Sequence, residues 1–101
     1  MDASTRIYLS PPHMGGQEAA FITEALESNW ITTLGPQVDA FEKEVSEYLQ
    51  VRAGCALNSG TSALHLGMKL LNVQAGDFVF CSSFTFAAST NPILYEKAVP
   101  V

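Results

Sequence analysis

Residues 53–71 read Ala53-Gly54-Cys55-Ala56-Leu57-Asn58-Ser59-Gly60-Thr61-Ser62-Ala63-Leu64-His65-Leu66-Gly67-Met68-Lys69-Leu70-Leu71. The apolar run from Ala53 to Leu57 has the length and the missing alternation of a strand covered on both faces. Asn58-Ser59-Gly60-Thr61-Ser62 breaks that run. Beyond it, Ala63, Leu64, Gly67, Met68 and Leu71 recur at helical spacing as a buried stripe. The stretch therefore reads as a strand, a tight junction and a helix.

Toward the C-terminus, Gln74-Ala75-Gly76-Asp77 is a turn signal and Phe78 to Cys81 a second short strand without alternation. Ser82-Ser83 opens a loop. Ala87 to Tyr95 forms a helix in which Pro92 stands near the start or makes a kink, and Ala98 to Val101 begins another strand. Strand, helix, strand, helix, strand is the order of an α/β fold, a mainly parallel sheet with flanking helices and right-handed crossovers. The sheet then carries an unpaired edge at Pro100-Val101, so residues 1–101 are expected to be a single incomplete segment.

Toward the N-terminus, the first seven or so residues look irregular. From Gly16 to Asn29, Ala19, Ile22, Ala25 and Leu26 recur on one helical face, with Glu18, Glu24 and Glu27 left for solvent. Trp30-Ile31-Thr32-Thr33-Leu34-Gly35-Pro36 interrupts that helix. Gly35-Pro36 then starts a second amphipathic helix, marked by Val38, Phe41, Val45, Tyr48 and Leu49, whose polar face of Glu42, Lys43, Glu44 and Glu47 reads as solvated.

Composition narrows the partners. The 101 residues are 48% hydrophobic and 15% charged, which suits one small globular unit. Five Lys+Arg against ten Asp+Glu give a formal charge of −5 with no basic cluster, excluding nucleic acid and anionic membrane as partners. No apolar run approaches the roughly 20 residues of a membrane helix. Met1-Asp2-Ala3-Ser4-Thr5-Arg6 is not a secretory start, so a cytoplasmic location is expected. Cys55 and Cys81 read as reduced, buried thiols. His13 and His65 share no ligand spacing with them, so no metal is expected.

Three segments carry chemical signals. The first is Asn58-Ser59-Gly60-Thr61-Ser62, at a helix N-terminus, where unpaired N–H groups and the helix dipole favour an anion such as phosphate. Gly60 allows close approach, Thr61 and Ser62 add hydroxyls, and no basic residue is needed. The same residues also read simply as a helix cap, with Ser59 or Thr61 as the capping side chain. The lysine and glycine spacing of a P-loop are absent. The second is Ser82-Ser83-Phe84-Thr85-Phe86-Ala87-Ala88-Ser89, at the same C-terminal sheet edge, where ligands gather in open α/β sheets. Its aromatics offer a flat face for a ring or serve as core. The third, Trp30-Ile31-Thr32-Thr33, is a weaker candidate that also reads as a helix-ending loop around one packed tryptophan.

In order along the chain, these motifs resemble the pyridoxal-phosphate-dependent sugar aminotransferases of the DegT/DnrJ/EryC1/StrS type. The resemblance runs from Ile7-Tyr8-Leu9-Ser10-Pro11-Pro12 through Trp30 to Val38, Phe41-Glu42, Asn58 to Leu66, Gly76-Asp77 and Phe84 to Asn91. It implies the N-terminal portion of the aspartate-aminotransferase (type I) fold. Residues 1–50 would be an N-terminal arm and two helices, and 51–101 the start of the large cofactor domain. It implies pyridoxal 5'-phosphate as cofactor, with Gly60, Thr61 and Ser62 holding the phosphate and Phe86 stacked on the pyridine ring. Thr32 and Thr33 match a loop that lies near the active site in the family's dimers and is expected to touch substrate. His65 matches no catalytic position and reads as core packing.

The resemblance also implies what lies elsewhere. The family's Schiff-base lysine, in a serine-rich loop, and the acid that pairs with the pyridinium nitrogen are expected beyond Val101. Lys43, Lys69 and Lys97 read as surface residues, and the chain alone is expected to be inactive. The implied reaction is transfer of an amino group, usually from glutamate, to a keto group on a nucleotide-linked sugar, by a homodimer. Two alternatives stand beside it: a dehydratase of the same family, and a non-catalytic remnant that binds a phosphorylated ligand or a full-length partner.

Overall fold

The computed structural model describes residues 10–101. The N-terminal residues expected to be irregular, and Ile7-Tyr8-Leu9 of the first matching motif, lie outside the described residues. The chain divides into two compact units, one extending to Gly54 and the other from Cys55 to Val101.

The first unit holds two helices, α1 (Glu18–Glu27) and α2 (Pro36–Leu49). The Glu18 carboxylate closes the start of α1 by accepting from the backbone N–H groups of Gly15 and Gly16. Its own backbone N–H and those two hold its carboxyl below the usual carboxylate range, as expected of an acid in a first helical turn. At the other end Ser28 Oγ donates to Glu24 O at 2.6 Å and Asn29 turns into the left-handed region at φ 58°. Pro36 starts α2 because its missing N–H is an orphan there in any case, and Gln50, at φ 54°, ends it. Gln37 Nε2 donates to Phe21 O at 2.7 Å, tying the start of α2 to the middle of α1.

The second unit holds α3 (Gly60–Leu70), β1 (Phe78–Val79), a 3-10 turn (Ala87–Ser89), α4 (Asn91–Tyr95) and β2 (Val99–Pro100). The two strands pair in parallel, Phe78 opposite Val99 and Val79 opposite Pro100. Val99 N–H donates to Asp77 O at 2.7 Å, Val101 N–H to Val79 O at 2.9 Å and Cys81 N–H to Val101 O at 3.0 Å. The α/β reading and the parallel pairing are both found, with each strand two residues shorter than its apolar run. Pro92, in the first turn of α4, splits the expected helix over Ala87 to Tyr95 into the 3-10 turn and α4.

Burial is slight. Pro92, Ile93 and Ala98 are the buried residues of the second unit, while Leu70, Leu71, Phe78 and Phe80 are each more than 70% exposed. Three expectations are corrected. Ala53 to Leu57 is not a strand: it joins no ladder with β1 or β2, and an apolar run becomes a strand only through the hydrogen bonds of a partner strand. The α3 stripe is not buried, since Leu64 and Leu71 face outward and only Gly67 and Met68 are half-covered. Both thiols are free as expected, but Cys55 is exposed and Cys81 half-buried. Among the described residues no side-chain cluster suits a metal ion, and no helix is long and apolar enough to cross a membrane.

Candidate functional site

The N-terminus of α3 is built by three side chains. Ser59 stands in extended backbone (φ −162°, ψ 156°) and its Oγ accepts from Ser62 N–H at 3.1 Å. Ser62 Oγ lies 2.8 Å from Asn58 Oδ1, which can only accept, so the Ser62 hydroxyl donates there. At 3.0 Å from Ser62 Oγ, the Ser59 hydroxyl is then the donor of that pair. Ala63 N–H reaches Ser59 O at 3.1 Å and begins the helical ladder.

That accounting leaves the N–H groups of Gly60 and Thr61 without an acceptor among the described residues, and Thr61 Oγ1 likewise. Gly60 is open: a β carbon built on it meets nothing within 4 Å. There is no acid in the first turn of α3 to oppose an anion, and Lys69 stands in its last turn. The helix dipole adds about half a positive charge at this end. The two readings of the motif prove compatible. Ser59 is the cap, which consumes the Ser62 N–H and orders its hydroxyl, while Gly60 and Thr61 remain available.

Phe86 lies 81% exposed just before the 3-10 turn, and Phe84 is fully exposed, so neither ring is core. The loop around them is held by Thr85 Oγ1 and Ser89 Oγ at 2.9 Å and by Ser89 N–H donating to Phe86 O at 2.9 Å. The turn itself packs against α3 and α4. Phe86 and Gly60–Ser62 therefore belong to one unit, and Thr32 and Thr33 to the other.

Thr32 and Thr33 are exposed in the loop joining α1 to α2. Thr32 lines a cavity of about 120 Å³ with Glu24, Trp30, Leu34 and Gly35.

The sequence reading overlooked a polar cluster behind α3. Glu96, immediately after α4, keeps a side chain only 8% exposed. Its Oε1 lies 2.6 Å from His65 Nε2 and its Oε2 2.6 Å from Lys69 Nζ. The Lys69 hydrogen bond, helped by His65, holds its carboxyl below the usual range against the opposing effect of desolvation. The His65 ring meets Tyr95 edge-on at 5.3 Å. His65 is thus a hydrogen-bonding partner and not plain packing, and Lys69 is an ion-paired surface residue. The available signal was the i, i+4 spacing of His65 and Lys69, which puts both on one face of α3.

The chain belongs to the DegT/DnrJ/EryC1/StrS aminotransferase family, whose model matches residues 12–101. It is 59% identical over 95% of its length to EpsN of Bacillus subtilis (strain 168), assigned as a pyridoxal phosphate-dependent aminotransferase, and covers 25% of that protein. It is 37% identical to the GDP-perosamine synthase of Vibrio cholerae over 89% of the chain and 24% of that enzyme. Its fold matches Spr1654 from Streptococcus pneumoniae, assigned as a sugar aminotransferase and solved in its PLP form. That match has a TM-score of 0.82 and 36% identity, over 96% of this chain and 24% of that one. The fold is accordingly part of the type I architecture expected from the motifs, and the chain spans about a quarter of the length of these relatives.

Proposed function

We propose that this chain supplies the phosphate-holding and ring-stacking part of a pyridoxal-phosphate-dependent aminotransferase acting on nucleotide-linked keto-sugars. The observation that carries the reading is the pair of unclaimed N–H groups at Gly60 and Thr61 at a helix N-terminus, with open space beside the Gly60 α carbon. They fit a phosphate dianion without any basic side chain, and Thr61 Oγ1 adds a third donor. Ser62, the third residue of the phosphate reading, acts through its N–H bond to Ser59 and its hydroxyl bond to Asn58, which fix the backbone that presents those donors. Phe86 offers an uncovered ring to stack on the cofactor's pyridine. Bound there, the cofactor supplies an electron-withdrawing ring that stabilises negative charge on the carbon losing or gaining the amino group.

The sugar class rests on the relative named as a GDP-perosamine synthase. Thr32 and Thr33 are the residues proposed to meet substrate, with glutamate as amino donor and a homodimer as the working form. We assign no covalent role to the chain's lysines. Lys43 pairs with Glu47 at 3.9 Å and Lys69 with Glu96, while Lys97 follows α4 outside the phosphate motif. On this reading the chain alone is expected to be inactive.

The test is titration of the chain with pyridoxal phosphate while the amide signals of Gly60 and Thr61 are followed by NMR. Those two should move first. Gly60→Asp, whose β carbon has room, should weaken binding at least tenfold by placing a carboxylate against the phosphate. Unchanged affinity in that variant, or amino transfer to a keto-sugar nucleotide by the chain alone, would overturn the reading.

A further inference from the structure

Helix α3 carries the phosphate donors at one end, yet no residue of it is buried. Little apolar packing fixes its axial position or rotation. Its polar attachment is different in kind: both oxygens of the nearly covered Glu96 carboxylate are occupied, each at 2.6 Å, by side chains one turn apart on α3. Glu96 directly follows α4, which holds the buried Pro92 and Ile93. The carboxylate thus joins the helix that presents Gly60 and Thr61 to the covered part of the unit. His65 stands five residues from Gly60, about 7.5 Å along the axis. A shift of the clamp is carried to the donors by a rigid helix.

From this two-pronged contact we infer that Glu96 is a positioning residue for the cofactor phosphate, holding His65 and Lys69 so that the Gly60 and Thr61 N–H groups point at a common centre. The inference rests on the phosphate reading above. The titratable groups facing Glu96 are His65 and Lys69 from α3, with Tyr95 edge-on to His65; the 3-10 turn and β2, also packed on α4, contribute none.

Pyridoxal phosphate affinity is measured by titration of the chain and its variants, with Gly60 and Thr61 amide shifts recorded alongside. Glu96→Gln should bind about tenfold more weakly at pH 7 and move both amide signals in the free chain. The ratio of wild-type to variant affinity should then fall toward one as acid protonates Glu96, a pH profile that a bulk packing defect does not give. His65→Gln, whose amide nitrogen can stand where Nε2 stands, should retain affinity, whereas His65→Leu should lose it. If Glu96→Gln fails to fold, the His65 pair decides: equal affinities for Gln and Leu overturn the inference. Equal, pH-independent affinities for wild type and Glu96→Gln overturn it as well while leaving the phosphate reading intact. No response of Gly60 and Thr61 in the wild type removes the phosphate reading, and this inference with it.

Discussion

The indole of Trp30 lies over the α carbon of Gly35, so close that a β carbon there would stand 2.9 Å from Cε3 and 3.2 Å from Cδ2 of the ring. Gly35 also sits at φ 132°, a backbone conformation that residues with side chains rarely adopt. The loop bearing Thr32 and Thr33 is therefore closed by a tryptophan that only glycine admits. Gly35→Ala should displace the indole, red-shift Trp30 fluorescence and cost about 1–3 kcal/mol of stability from the combined clash and strain. An unchanged spectrum and denaturation midpoint would show that the ring does not rest there.

Ser59→Ala removes the acceptor for Ser62 N–H and the hydroxyl that donates to Ser62 Oγ. About 1 kcal/mol should be lost, against a few tenths for Ser59→Gly. Because the cap orders the donors beside it, Ser59→Ala should also weaken pyridoxal phosphate binding, read by the same titration. A loss of stability with unaltered binding would confine Ser59 to capping.

Acid should weaken each unit through one carboxylate. Glu96 in the second unit and Glu18 in the first both titrate below the ordinary value of 4.5 when folded. A depressed folded value means that the charged form stabilises. The contribution is full above 4.5 and is lost as the pH falls through the folded value. Denaturant midpoints between neutral and acid pH should fall less steeply in Glu96→Gln and Glu18→Gln than in the wild type. Parallel curves would remove both contributions.

The two thiols should differ. Cys55 is exposed and Cys81 half-buried, with Sγ 3.8 Å from Thr90 Oγ1, and both are free. A thiol reagent should modify Cys55 at least several-fold faster, with two thiols counted per chain after unfolding in the absence of reductant. Equal rates would contradict the exposures.

The helices were legible in the sequence because their evidence is local. Glu and apolar spacing announced α1, Gly35-Pro36 announced α2, and the Ser59 junction announced α3. The strands were legible only where two such runs form a ladder: Phe78 and Val99 pair, whereas the apolar Ala53 to Leu57 joins no strand ladder among the described residues. Of the proposed site, residue type and position left Gly60, Thr61 and Ser62 open between a helix cap and a phosphate cradle, and the resemblance favoured the cradle. What could not be read was the division of labour among them, since whether an N–H is spent on a cap depends on one side chain's rotamer. Glu96 was missed for a related reason: it lies 27 and 31 residues from its partners, and only the packing of α4 on α3 brings the carboxylate to them.

Pro100 makes the two borders of the small sheet unequal. Val99 and Val101 direct their N–H groups at β1, so the ring nitrogen of Pro100 faces the opposite side, where it has no hydrogen to offer. A strand arriving beside β2 meets a missing rung at its middle. One arriving beside β1 meets the N–H groups of Phe78 and Phe80, both intact. Growth of the sheet, whether by further chain or by unwanted self-association, is thereby biased toward the phenylalanine side.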